Sequence, residues 1–268
     1  MNIKSISSRD NPLYRQVRQL ATSSQARRKQ GKTILDGVHL CQAWLQHRGM
    51  PALCVVSESG RSHAEAGGVL HACASGDASC ILLSDALFAP LSQVDHGVDL
   101  LFVIDTPRQP LLKPISAISG STVILDGLQD PGNLGSILRT AAAAGIASVY
   151  CGSGTVFAWS PKVLRAAMGA HFVLDIFEDI DLRSLMTGSG IPVLATSSHA
   201  QSSVFDIDLS GPCAWLFGHE GQGVSDSLLG LATQKITIPQ QPGIESMNVA
   251  ASAAVCLFEQ VRQQRLGR

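Results

Sequence analysis

Between Thr122 and Arg262, six short and nearly uninterrupted apolar segments alternate with stretches of helical spacing. The apolar segments are Thr122–Leu125, Ser148–Cys151, Val173–Ile176, Val193–Ala195, Ala214–Phe217 and Lys235–Ile238. The helical stretches are Leu134–Ala144, Pro161–Met168, Leu182–Thr187, Val224–Leu231 and Ser246–Arg262. Strands that are apolar on both faces need cover on both faces, and strands joined through helices run parallel. This half of the chain is therefore predicted to be α/β, a parallel sheet with helices on either side.

The first hundred residues show a looser version of the rhythm. Strand candidates are Leu53–Ser57, Cys80–Ser84 and Leu100–Ile104, with helices at Val38–His47 and about 62–74. They predict a smaller α/β domain. Residues 106–120 carry three prolines and little periodicity, as a linker does. The expected organisation is a domain over 1–105, a linker over 106–119 and a second domain over 120–268. A chain of 268 residues, 45% apolar and 15% charged, can bury cores of that size.

Net charge is −1 and says nothing about partners, but its distribution does. Residues 1–32 hold Lys4, Arg9, Arg15, Arg18, Arg27, Arg28, Lys29 and Lys32 against Asp10 alone, a surplus of +7 that leaves −8 for the rest. A basic N-terminal arm on an acidic protein suits a polyanion, or simply a solvated helix face. The seven cysteines are odd in number and never in CxxC spacing. That pattern suits core thiols in a reducing compartment and argues against structural zinc. With no signal-like apolar region at the start and no run long enough to span a bilayer, the expected location is cytoplasmic.

Three stretches could carry chemistry. Ile124–Gly145 runs from a buried strand through a polar, glycine-rich turn into an alanine-rich helix. Pro131 stops the preceding element, Asn133 is the expected N-cap, and Arg139 stands alone in the helix. Leu216–Ser225, LFGHEGQGVS, places three glycines where backbone could approach a ligand. Ile238–Glu259 ends a strand at Ile238-Pro239 and opens the last helix with Ser246-Met247-Asn248. Taken singly, these read equally as a βα unit with a salt-bridged arginine, a plain turn and a capped helix. Neither GxGxxG nor GxxxxGK[ST] is present, which argues against an NAD- or ATP-binding protein.

Together, in order and spacing, the three stretches resemble the signature motifs of the SpoU (TrmH) RNA ribose 2′-O-methyltransferases of the SPOUT superfamily. The resemblance implies a C-terminal SPOUT domain with a deep trefoil knot, S-adenosylmethionine as cofactor, and a homodimer in which an arginine of one subunit can act at the other's site. By the same resemblance Arg139 is the essential residue, Asn133 positions it or the ribose, Glu220 orders the second motif and Asn248 braces the third. The cofactor would be held around Thr196, Phe217, Gly218, Glu220, Gly221, Ile238, Pro239, Met247 and Asn248. His219 stands where the family more often has a small or amide side chain, and is read as facing solvent. Met247 replaces the commoner leucine. The N-terminal part resembles the L30e-like RNA-binding domain that precedes many SpoU domains, with Arg15, Arg18, Arg27, Arg28, Lys29 and Lys32 expected on RNA phosphates. Only two tyrosines are present, so base stacking is not a dominant feature. Ribosomal RNA is favoured over transfer RNA because the extra domain resembles those of ribosomal RNA members. The rivals are a tRNA 2′-O-methyltransferase, a SPOUT enzyme acting on a base nitrogen, and a non-catalytic RNA-binding or assembly factor that kept the fold.

Overall fold

The computed structural model describes residues 3–94, 97–107, 118 and 120–266. Most of the expected linker therefore lies outside the described residues. Two compact units are present: Met1–Arg108 with Trp159–Phe172, and Gln109–Ala158 with Val173–Arg268.

The first unit opens with β1 (Ile3–Ile6), α1 (Pro12–Thr22), α2 (Ser24–Gln30) and β2 (Lys32–Asp36). There follow α3 (Val38–His47), β3 (Leu53–Ser57), α4 (Glu58–Ser62), α5 (Ala64–Ser75), β4 (Cys80–Leu83), α6 (Asp85–Phe88) and β5 (Leu100–Asp105). Its sheet runs β1-β4-β3-β5-β2, parallel up to β3 and antiparallel across β5. The basic N-terminal stretch is part of this unit. β1 pairs with β4, and α1 buries Tyr14, Val17, Leu20 and Ala21 against the core. Asn11 caps α1 by accepting the Leu13 N–H at 2.9 Å, with Pro12 in the first turn, where a missing N–H costs nothing.

The second unit holds β6 (Thr122–Asp126), α7 (Pro131–Ala143) and β7 (Ser148–Gly152). The chain then supplies α8 (Pro161–Ala167) to the first unit before returning as β8 (Asp175–Ile180), α9 (Leu182–Thr187) and β9 (Val193–Thr196). It ends with β10 (Ser202–Ser203), β11 (Ala214–Gly218), α10 (Asp226–Leu229), β12 (Gln234–Thr237) and α11 (Val249–Leu266). The seven strands run β10-β12-β9-β11-β6-β7-β8, and every pairing is parallel. Side chains alternate across such a sheet. Ala214 and Leu216 of β11 pack with Leu182, Leu185 and Leu228 of α9 and α10. Trp215 points the other way, where its indole N–H donates to Gln260 of α11 at 2.9 Å. Both faces are thus covered, as the continuous apolar strands require.

The expected boundaries shift where tertiary structure intervenes. The last strand in the sheet order, β8, begins two residues later than its apolar run suggests, leaving Val173 57% exposed, because an edge strand is half solvated. The sequence boundaries kept 120–268 unbroken, whereas Trp159–Phe172 packs within the first unit. There Thr33 Oγ1 donates to the Trp159 carbonyl at 2.7 Å, and Trp44 meets Phe172 edge-on at 5.4 Å.

Candidate active site

Four neighbouring strands of the second sheet, β12, β9, β11 and β6, release their loops at one edge. That edge is formed by the strands' carboxyl ends, where open α/β sheets hold ligands. The three sequence motifs occupy the loops after β6, β11 and β12, and β9 adds Thr196–His199. Between the segments that follow β9, β11 and β12 lies a cavity of about 420 Å³. Its wall includes Thr196, Gly218, Glu220, Gly221, Ile238 and Met247 of the expected cofactor residues. Phe217 is fully buried behind the wall, and Pro239 and Asn248 lie outside it. Ser197, just beyond Thr196 at the end of the same strand, lines the cavity too, and Ser198, His199, Leu229 and Gln240 join it without any signal in the sequence. No periodicity marks these residues; the β9 and β12 residues arrive because those strands are adjacent, and Leu229 comes from α10.

Asn133 is not the N-cap of α7. Asp130 is, accepting the Asn133 N–H at 2.8 Å, with Pro131 as the first helical residue. The Asn133 side chain is released for other bonds. Its Nδ2 donates to Glu220 Oε1 at 3.1 Å, and its Oδ1 accepts from Asn248 Nδ2 at 2.9 Å. Asn248 Oδ1 in turn accepts the N–H groups of Ala250 and Ala251 at 2.9 and 3.1 Å, which makes Asn248 the cap of α11. Every orientation in this chain is forced. A carboxylate only accepts, so Asn133 must present its amine to Glu220 and its oxygen to Asn248. The three motifs are thereby joined through one asparagine.

Glu220 also accepts the N–H groups of Asp130 at 2.9 Å and Gln129 at 3.1 Å. Burial alone would push its carboxyl up, but the donors Asp130, Asn133 and Gln129 outweigh burial and hold it below the usual carboxylate range. A value depressed in the folded state stabilises fully above the unfolded value, about 4.3, and that contribution disappears as pH falls through the folded value. Glu220→Gln is expected to weaken ligand binding at neutral pH, because one amide oxygen cannot satisfy three donors. The same change should flatten the loss of binding below about pH 4, and titration of binding against pH checks both. An unchanged acid limb would mean that other carboxylates set it.

Arg139 lies two turns into α7, exposed, with no ion pair among the described residues. His219, expected in solvent, is half-buried and lines the cavity. Of the six expected RNA-contacting residues, Arg15, Arg18, Arg28 and Lys29 are exposed, and Arg15 pairs with Asp10. Lys32 is half-buried and pairs with Asp105 at 2.5 Å. Arg27 is only 7% exposed, and its guanidinium donates to the Leu20 carbonyl at 2.6 Å, closing the end of α1. That use of Arg27 is structural.

The residues around the cavity suit an adenosyl cofactor. Leu229, Ile236, Ile238 and Met247 supply apolar wall, the glycines let backbone approach, and Glu220 and Asp226 supply negative charge. The volume falls in the range of small-molecule sites, about 300–1,000 Å³.

Comparison with known proteins points the same way. Residues 120–258 match the model of the SpoU rRNA Methylase family. An uncharacterized tRNA/rRNA methyltransferase of Synechocystis is 35% identical over 98% of this chain and 95% of its own length. RlmP of Bacillus subtilis, a 23S rRNA guanosine 2′-O-methyltransferase, is 29% identical over 96% of this chain and 98% of its own. The crystal structure of an S-adenosylmethionine-bound rRNA methyltransferase from Sinorhizobium meliloti superposes with a TM-score of 0.83 at 25% identity, covering 97% of this chain and 98% of that one.

Proposed function

We propose the function from one premise: the chain belongs to the SpoU rRNA methylase family. It is an S-adenosylmethionine-dependent RNA methyltransferase that acts on a ribose 2′-OH, with ribosomal RNA as substrate. The observation that carries this reading is the hydrogen-bonded chain Glu220–Asn133–Asn248, which ties the first motif to the second and third, whose loops line a cavity of cofactor size.

When bound, the cofactor supplies an already activated methyl group. The protein's task is to place the ribose hydroxyl and help remove its proton. Loops after β9, β11 and β12 would hold the adenosyl group. Asn133, fixed through both its side-chain ends, would position the ribose or Arg139. The Arg139 guanidinium stays charged, so its natural role is to grip the adjacent phosphate and lower the barrier to losing the hydroxyl proton.

The knot, a homodimer and a cytoplasmic location belong to the same proposal. Supporting the dimer, the large apolar side chain of Phe258 on α11 is 48% exposed. Among the described residues no helix is long and apolar enough to cross a membrane.

The first unit is proposed as the RNA-binding domain, through α1 and α2. Neutralising Arg18, Arg28 and Lys29 to glutamine is expected to weaken RNA binding and reduce its salt slope by roughly 2 to 3. Arg27 is left intact, since its loss would unsettle the fold. An unchanged slope would leave these cations as a solvated face.

The reaction is tested with labelled S-adenosylmethionine and unmodified ribosomal and transfer RNA, digested to nucleosides for mass spectrometry. A 2′-O-methylnucleoside from ribosomal RNA is expected. A base-methylated nucleoside would overturn the ribose assignment, and product from transfer RNA alone would overturn the substrate.

A further inference from the structure

The glycine loop after β11 is closed by its own histidine. Main-chain bonds tie His219 to Gly223 in both directions, at 3.0 and 2.8 Å. Inside that ring, His219 Nδ1 accepts the N–H of Gly221 at 2.9 Å and of Gln222 at 3.3 Å. An acceptor Nδ1 means the neutral imidazole carries its proton on Nε2. Gly221, Gln222 and Gly223 are thus three successive N–H groups, all satisfied within the turn.

Successive main-chain N–H groups in a tight glycine-rich turn otherwise form a concavity for anions, as phosphate-binding loops do. Here the concavity is filled from within. The surrounding wall is also wrong for an anion: it carries Glu220 and Asp226, and no lysine or arginine is among its described lining residues. Such a wall suits a cationic ligand with an adenosyl group and disfavours a nucleotide that shares the adenosine but carries phosphates.

We propose that His219 is a positioning residue that selects the ligand. By occupying the N–H groups of Gly221 and Gln222, it holds the loop for a cationic adenosyl cofactor and closes it to phosphate-bearing adenosine nucleotides. The inference rests on the cofactor reading above and adds the discrimination.

Three variants of the full chain separate the cases. His219→Ala removes the acceptor. His219→Phe removes it while keeping ring volume, so the question stays answerable if the alanine variant does not fold. His219→Asn restores an acceptor, because Asn Oδ1 stands one bond beyond Cγ, as His Nδ1 does. Titration calorimetry with S-adenosylmethionine and, separately, with ATP gives affinities, and steady-state methyl transfer gives kcat and KM.

Without the acceptor, S-adenosylmethionine affinity is expected to fall about tenfold, the scale of one hydrogen-bond acceptor lost. KM should rise, kcat at saturating cofactor should hold, and ATP binding should appear. The asparagine variant should reverse all of these. Wild-type affinity and no ATP binding in the acceptor-less variants would overturn the proposal, as would an asparagine variant no better than alanine, or a fall in kcat with KM unchanged. If the wild type itself fails to bind S-adenosylmethionine, the cofactor reading falls. The nest is then judged by ATP alone, a gain in the alanine or phenylalanine variant supporting it and no gain overturning it.

Discussion

Arg139→Ala is expected to lower kcat for methyl transfer by about a thousandfold, the scale seen when a charge-stabilising arginine is removed from a phosphate-bearing site. Cofactor affinity should stay within about twofold, the signature of a group used after binding. The geometry behind this expectation is specific. Arg139 takes no part in the cavity wall, and nothing among the described residues neutralises it. Six residues beyond Asn133 on the same helix, it lies about 9 Å further along the axis and about 120° around it. It is therefore placed to meet RNA, not the adenosyl pocket. Arg139→Lys should recover only part of the rate, because an ammonium cannot grip phosphate bidentately. Calorimetry with S-adenosylmethionine beside a single-turnover methylation assay checks both halves. Parallel loss of binding and rate would remove Arg139 from its assigned role and make it a structural residue of α7.

Gly218→Ala should have the largest effect on structure. A Cβ at Gly218 would stand 2.1 Å from the Gly223 carbonyl carbon and the Val224 nitrogen, and 2.2 Å from the Gly223 oxygen. All three are main-chain atoms of the returning loop, and that loop is pinned by the His219–Gly223 bonds and by the Ser225 N–H on Asp126 at 2.9 Å. A side chain could rotate away; this backbone cannot. The cost should be at least about 3 kcal/mol, by overpacking with no outlet, and the melting temperature should fall by roughly 6 °C or more. Cofactor binding should be lost with it. Gly221→Ala in the same loop is the matched control, since its Cβ would meet only the His219 ring at 3.7 Å, an ordinary contact. A Gly218→Ala protein that melts with the wild type would show that the loop moves aside freely, and the argument from close approach would fail.

Glycine 218 also shows what kind of information each level holds. Three glycines in ten residues are visible in the sequence, and they announce a close approach of backbone to something. That the something is the chain's own return, and not ligand alone, needs the fold. The same holds for Asn133. The sequence marks a polar residue at a helix start, and capping is the natural reading. Asp130 takes the cap instead, and the freed amide finds Glu220 and Asn248, 87 and 115 residues away. Local rules do not reveal that Asp130, three residues earlier, takes the cap when a distant carboxylate makes Asn133 worth more elsewhere. Arg27 fails in the opposite direction. A run of three basic residues looks like surface, yet the first of them turns inward to the open carbonyls of α1.

What the sequence by itself determined was the layered architecture of the second unit and the places of its three motifs. Periodicity, glycine and proline act over a few residues, and continuous apolar strands leave only a covered parallel sheet as a solution. The tertiary structure alone decided which donors meet which acceptors: the Glu220–Asn133–Asn248 chain, the histidine that fills its own loop, the cavity wall from β9, and the transfer of Trp159–Phe172 to the first unit. Hydrogen-bond partners and packed rings are chosen by strand order, and strand order brings together residues that no local pattern relates.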